Sequence, residues 1–377
     1  MDLTWSDDEE AFRAEARAWL GAHVPTGLPS GDTAEGFAAH LEWERLLFEN
    51  RWAVVSWPEA YGGRDASLWE WLLFEEEYYR AGGPQRVTQN GIFLLAPTVF
   101  EFGTQEQKDH VLPRMAGAED LWCQGWSEPN AGSDLAGITS RGRRVDGGWV
   151  LAGQKTWTTR GAFCTHLFGL FRTDPDSERH RGLTYFLVPL DAEGVTVRGF
   201  GRLDGDEGFA EVFFEDAFVP DDAVLGTVND GWGVAMSTTS SERGLTLRSP
   251  GRFLAAVDRL IDLANEHTLT PVLRDRIAEV WMRAEAYQLF TLDNVTRMAE
   301  GDSPGAESSL NKIWWSELDV DLHEIALDLL GPDAELEGPW SKGWQFALSG
   351  PIYAGTNEIQ RNIAAERVLG LPRGTRR

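Results

Sequence analysis

Apolar positions change their period twice along this chain. At first they recur every three or four residues: Phe12, Ala16, Trp19 and Leu20 share one helical face, stop before Pro25, and follow Ser6-Asp7-Asp8-Glu9, which reads as a capping box. Phe37, Leu41, Leu47 and Phe48 mark a second helix, and Ser67-Leu68-Trp69-Glu70 caps a third that runs through Phe74 towards Gly82-Gly83. Residues 90–102 are apolar and helical, and Thr104-Gln105-Glu106-Gln107 caps another helix reaching about Ala116. From Leu121 to about Gly226 short β-rich runs take over, at 165–172, 183–189, 195–197 and 211–219, separated by Gly, Asp and Pro. After Asp230-Gly231-Trp232-Gly233 the helical period returns: Pro271 opens one helix, 308–330 forms another ending at Gly331-Pro332, and 343–369 supplies the last segment. The expectation is an α+β chain with an all-α N-terminal domain over 1–120, a middle β-barrel or sandwich over 121–226 and a C-terminal four-helix bundle over 227–377. Trp314, Leu318, Leu322 and Ile325 stand at helical spacing and are assigned to that bundle's core rather than to a ligand wall.

One stretch, residues 122–159, departs from plain patterning. The run Trp122-Cys123-Gln124-Gly125-Trp126-Ser127 reads as a short strand entering a Pro-Asn-Ala-Gly-Ser-Asp turn, whose small residues let backbone N–H groups approach a phosphate closely. Asp146-Gly147 then signals a hairpin into a second strand ending Lys155-Thr156-Trp157-Thr158-Thr159. An ordinary β-domain fits this pattern. So does a flavin site, since an isoalloxazine ring needs an aromatic wall and hydrogen bonds at its edge, and its pyrophosphate needs backbone donors.

At 377 residues the chain has room for two or three cores, and its net charge of −26 argues against nucleic acid and against an anionic membrane surface. Two cysteines, Cys123 and Cys164, are too few for a disulfide framework, and the acidic opening lacks a signal-peptide apolar stretch, so a cytoplasmic enzyme is expected. No apolar run is long enough to suggest a membrane span. GxGxxG, GxxxxGK[ST] and GxSxG strings do not occur, and the seven His show no metal-ligand spacing. Lysine stands only at 108, 155, 312 and 342, which reads as a compositional bias. Arg141, Arg143 and Arg144 read as a solvated hairpin face or as a phosphate contact.

In order and spacing, the chain resembles the acyl-CoA dehydrogenase family. Ser127-Glu128-Pro129-Asn130-Ala131-Gly132-Ser133-Asp134 is similar to the family's Thr/Ser-Glu-Pro-x-Ala-Gly-Ser-Asp strand and turn, and Lys155-Thr156-Trp157-Thr158-Thr159 to its Lys-x-Trp-Ile-Thr strand. Two further blocks match, Gly103-Thr104-Gln105-Glu106-Gln107-Lys108 and Ile352-Tyr353-Ala354-Gly355-Thr356-Asn357-Glu358 continuing to Asn362. The resemblance implies FAD, held by Gln124, Trp126, Ser127, Gly132, Ser133, Trp157, Thr158, Thr159, Asp328, Gly331, Thr356, Asn357 and Glu358, with Ser133, Ser241, Arg243 and Gly355 towards the substrate. It implies an acyl-CoA or acyl-carrier-protein thioester oxidised to its trans-2-enoyl form, an electron-transferring flavoprotein as reoxidant, and a homodimer, homotetramer or heteromer with a related chain. A non-catalytic subunit and an oxidase or monooxygenase are the alternatives.

Two departures from the family pattern shape this expectation. Many members carry the catalytic Glu directly before the Gly-Thr of the C-terminal block, where this chain has Ala354; a smaller set carries it on the first bundle helix before an Arg, as in Ser241-Glu242-Arg243. Read alone, Glu242 is a surface or helix-end charge; by position in the resemblance it is the base. The family's Arg-x-x-Phe-Gly clamp on a neighbouring subunit's FAD has no counterpart at residues 266–271.

Overall fold

The computed structural model describes residues 4–243, 249–302 and 305–372, with the side chains of 240–243 left undescribed. These residues fall into two compact units, one built from 27–65 and 84–242, the other from 1–26, 66–83 and 243–377.

The first unit is organised on one eight-stranded sheet. Its strands are β1 (Trp122–Gly125), β2 (Arg141–Val145), β3 (Gly148–Thr159), β4 (His166–Arg172), β5 (Leu183–Pro189), β6 (Val195–Phe200), β7 (Phe209–Pro220) and β8 (Val224–Leu225), in the order β6-β7-β3-β2-β4-β5-β8 with β1 parallel to β4. Asp146-Gly147 closes the β2–β3 hairpin, with Gly147 at φ +73°. Cys123, Leu151, Leu167, Phe171, Phe186, Val188, Val212 and Phe214 bury one side as an apolar core. The helices of this unit are α2 (Ala34–Glu49), α4 (Ala96–Phe102), α5 (Gln105–Ala116) and α6 (Gly231–Arg243). A π-helical turn, Asn90–Leu95, leads into α4. There Ala96 N–H reaches back to Gly91 O, and Pro97 supplies no N–H. Of the three hairpin arginines, Arg144 is paired with Asp221, while Arg141 and Arg143 are solvent-exposed.

The second unit is helical: α1 (Asp7–His23), α3 (Leu68–Arg80), α7 (Pro250–Asn265), α8 (Pro271–Ala299), α9 (Ser308–Leu330), α10 (Pro339–Ala347) and α11 (Asn357–Ile363). The capping boxes expected at Ser6 and Ser67 are both formed. The middle of α3 is buried, glutamates included, and α7 approaches it so closely that a Cβ on Gly251 would stand 2.8 Å from Glu76 Cα. Burial pushes the Glu77 carboxyl up, but Arg17, Arg13 and Arg80, at 2.8, 2.8 and 2.7 Å, bring it down to about 2. Phe253, Val257, Leu260, Val280, Tyr287, Leu318, Leu322 and Ile325 form the core.

One expectation needs correction. Trp314 is 41% exposed and donates its Nε1–H to Arg283 O at 3.0 Å; Trp315, one residue and about 100° further round, takes the core place. The final segment, 343–369, holds the end of α10 and all of α11, and between them Ala354 and Gly355 both take positive φ (+56° and +76°), which keeps the connection out of the helical conformation.

Candidate active site

In the sheet unit, the stretch 122–159 brings two strand ends together. Ser127, just past β1, accepts a backbone hydrogen bond from Thr156 N at 2.9 Å. The turn that follows is closed by reciprocal bonds between Glu128 and Ala131 at 2.9 and 3.0 Å, leaving Gly132 and Ser133 exposed at its tip, where a Cβ on Gly132 would meet nothing within 4 Å. That open tip is the geometry a phosphate needs to reach backbone N–H groups.

The β3 strand is bulged at the decisive point. Lys155 pairs with Val212 and Thr158 with Ala210, so Thr156 and Trp157 together face the single residue Glu211. Trp157 takes φ +57°, a left-handed conformation that a bulky residue adopts only when its surroundings enforce it. The result is an indole that is 61% exposed, braced edge-on by Phe200 and Phe209 at 5.3 and 5.6 Å, with a free face. Thr158 is fully buried and Thr159 half-buried, closing the ladder against Ala210 and Phe209.

Buried cations pin the bulge on both sides. Before it, Lys155 is 0% exposed and its Nζ donates to Glu128 Oε1 at 2.8 Å, Leu170 O at 2.7 Å and Trp126 O at 3.5 Å. After it, Arg160 is buried against Asp32 at 2.6 Å. Burial raises the Glu128 carboxyl, but Lys155 and the donors of Thr139 and Ser140 carry it down to about 2; burial lowers the Lys155 ammonium while Glu128 opposes that shift. Neither Lys155 nor Glu128 figured among the sequence candidates. The available signal was the rarity of lysine: two of the four, Lys155 and Lys312, are completely buried.

Three polar groups here find no partner among the described residues: Gln124 Nε2, Trp126 Nε1 and Thr158 Oγ1. Buried donors of this kind are costly unless a ligand or water takes them up. Together with the open turn and the free indole face, they fit the ring-and-pyrophosphate shape of a flavin dinucleotide.

In the helical unit, Thr356 caps α11 by accepting from Ile359 N at 3.2 Å. Asn357 is buried, its Oδ1 accepting from Lys312 Nζ at 2.8 Å and Ser316 Oγ at 3.1 Å, so its amide is occupied internally and a ligand contact by this residue runs through its backbone. Glu358 is exposed and its carboxyl lowered by backbone N–H and the Thr356 hydroxyl. Gln360, buried beneath, donates to Ala354 O at 2.8 Å and holds the turn at Gly355. Asp328 is exposed and paired with Arg276 near the end of α9, and Gly331 follows at φ +57°. On α6 of the sheet unit, Ser241, Glu242 and Arg243 form the last turn; position 242 lies one turn beyond Thr238, and their side chains fall outside the described residues.

Comparison with known proteins covers nearly the whole chain. Residues 6–119, 123–217 and 229–369 match the models of the acyl-CoA dehydrogenase N-terminal, middle and C-terminal domains. The chain is 38% identical over 382 residues to acyl-CoA dehydrogenase IpdE1 of Mycobacterium tuberculosis, covering 97% of this chain and 98% of that one. Among solved structures it is similar to the Tcur3481-Tcur3483 steroid ACAD (26% identity, TM-score 0.88, 99% and 100% covered) and to the ChsE4-ChsE5 complex from Mycobacterium tuberculosis (26%, 0.85, 100% of each). Among the described residues, no helix is long and apolar enough to cross a membrane, and no group of His, Cys, Asp and Glu is placed to hold a metal.

Proposed function

The chain belongs to the acyl-CoA dehydrogenase family of oxidoreductases, and from that premise we propose that it introduces a trans α,β double bond into an acyl thioester, with Glu242 as general base and FAD as cofactor. The observation that carries the cofactor half of this reading is the strained, doubly pinned bulge that holds Trp157 open beside Ser127. When bound, FAD supplies the acceptor for the β-hydrogen as hydride. Trp157 offers a flat wall to the ring, Ser127 and Thr159 hydrogen bonds at its edge, and the Gly132-Ser133 tip backbone donors to the pyrophosphate. Glu242 takes the α-proton, a step that a carboxylate performs best where a water-poor setting raises its pKa towards working pH. Ala354 has no proton-accepting group, which leaves Glu242 to act from α6.

An electron-transferring flavoprotein is the proposed reoxidant and the cytoplasm the proposed location. The assembly we propose is a homodimer or homotetramer, or a heteromer with a related chain. A second reading, a subunit that completes its site only with a partner, is favoured by the pairing of two chains in the similar Tcur3481-Tcur3483 steroid ACAD and ChsE4-ChsE5 complex.

Absorbance separates these readings. Purified protein that carries yellow flavin and bleaches anaerobically with an acyl-CoA supports the enzyme; colourless protein that turns yellow only with a partner chain supports the half-site subunit; rapid reoxidation by oxygen marks an oxidase. Glu242→Gln keeps shape and is expected to slow bleaching by roughly 10²- to 10⁴-fold. Bleaching at the parental rate places the base elsewhere.

A further inference from the structure

Two left-handed residues stand three positions apart at the end of β3 and just beyond it: Trp157 at φ +57° and Arg160 at φ +55°. Strain of this kind persists only where the surroundings over-determine the backbone. Yet the Trp157 indole is 61% exposed, and among the described residues its ring contacts are with Phe200 and Phe209. Those two residues are the last of β6 and the first of β7 and pair with each other, so they also bound the hairpin loop 201–208. Whatever fixes that loop fixes the brace behind the indole.

A single carboxylate joins the loop to the strand end. Asp32, buried just ahead of the α2 cap Thr33, accepts from Arg160 Nε through Oδ1 and from Arg202 Nη1 through Oδ2, each at 2.6 Å. The rest of the Arg202 fork, Nε and Nη2, donates to the two oxygens of Asp204 at 3.2 and 2.7 Å, and its backbone N–H to Asp206 O at 2.9 Å, which closes the loop on itself. The Arg160 backbone N–H donates to Gly208 O at 2.9 Å, at the loop's far end. A Cβ on Gly208 would stand 2.6 Å from the Arg202 Nη1 that reaches Asp32, so the bare glycine makes room for the bridge. Burial pushes the Asp32 carboxyl up, but Arg160 and Arg202 outweigh it and hold the group below its ordinary value, so it stays charged between the two guanidiniums.

We infer that Asp32 and Arg202 are positioning residues for the flavin wall: their bridge ties the hairpin loop behind Phe200 and Phe209 to the strand end that carries Trp157, and so fixes where the indole stands. The inference rests on the reading of Trp157 as that wall. Both residues act through the two phenylalanines and the bulge. An indole this exposed has little packing of its own to hold it, so cutting the bridge leaves the brace free to swing while the buried core of the sheet stays as it is.

Fluorine NMR of the full chain labelled with 5-fluorotryptophan tests this, because the Trp157 resonance is identified among the 17 tryptophans as the one lost in Trp157→Phe. In flavin-free protein, Arg202→Met cuts the loop from Asp32 while leaving Asp32 paired with Arg160, and is expected to shift or broaden that resonance. Arg202→Lys keeps the charge and loses the fork, and its resonance is expected between those of the Met variant and the parent. Should Arg202→Met fail to fold, the Lys variant decides; an unmoved Trp157 resonance overturns the inference. FAD titrated into the same proteins reads the consequence. Arg202→Met is expected to weaken binding about 10-fold, the upper range of one aromatic contact, and to add almost nothing once Trp157 is replaced by Ala. An equal loss in the Trp157→Ala background means that Arg202 acts by another route and overturns the inference too. If Trp157→Ala binds FAD like the parent, the flavin-wall reading fails instead, and the fluorine resonance alone decides whether the bridge holds the indole.

Discussion

Replacing Lys155 with Met removes the ammonium behind the β3 bulge while nearly preserving volume. The parent Nζ touches Glu128, Leu170 O and Trp126 O and sits 4.9 Å from the centre of the Phe171 ring. Without it, a carboxylate that is 7% exposed loses its countercharge, although Thr139 N, Thr139 Oγ1 and Ser140 N remain bound to it at 2.6, 2.9 and 2.9 Å. Breaking one side of a buried pair costs about 3–5 kcal/mol, and the three surviving donors place this site at the low end. The pKa points the same way: a carboxyl held at about 2 against an ordinary 4.5 represents about 3 kcal/mol of folding stability, of which Lys155 supplies the larger part and the surviving Thr139 and Ser140 donors the rest. For a unit of this size that is a fall in melting temperature of roughly 6–12 °C. The sign with pH follows from the lowered pKa. Glu128's contribution is complete above its ordinary value of 4.5 and is lost as pH falls towards about 2, so the deficit of the variant is largest at neutral pH and closes in acid. Calorimetry across that range measures it. Lys155→Met combined with Glu128→Gln removes both charges and is expected to recover part of the loss. A single variant that melts like the parent at neutral pH, or a double variant no better than the single, refutes the argument that this pair holds the bulge.

Trp157→Gly is expected to separate stability from binding: relief of the positive φ is worth about 1 kcal/mol to the flavin-free protein, while flavin content per chain falls. Trp157→Ala keeps the backbone strain and loses flavin alike, so a loss of flavin from neither variant counts against the ring wall. Asn357→Ala leaves the buried Lys312 ammonium without its carbonyl partner and is expected to cost about 2–4 kcal/mol in urea unfolding, more than Thr356→Ala, which removes an N-cap worth about 1 kcal/mol.

Local chemistry made much of this protein legible from its residues. Capping boxes at Ser6 and Ser67, Thr270-Pro271 at a helix start and Gly331 at a helix end are signals that act within one turn, and the elements they bound stand where they were expected. The Asp146-Gly147 hairpin and the short β-rich run at 183–189 are equally local. The family resemblance rests on the same property, since a turn that must present bare backbone to a ligand restricts which residues can stand there.

What tertiary structure decided is everything that depends on partners distant in sequence. Helix α3 groups with α1 and the C-terminal helices while α2 groups with the sheet, and within α3 the buried Glu76 and Glu77 are met by Gln288 and by Arg13 and Arg17, all distant in sequence. Trp314 and Trp315 are adjacent and alike in composition; a rotation of about 100° sends one to solvent and the other to the core. The burial of Lys155 becomes visible only when Glu128, Leu170 and Trp126 are seen around its nitrogen, and the exposure of the Trp157 indole only with the bulge that turns it outward. The residues therefore carry the order of elements and the identity of the motif. Which charges are buried, which donors are left unmet and which way a strained side chain points arise only when segments close over one another, because those energies belong to pairs of residues and not to either one.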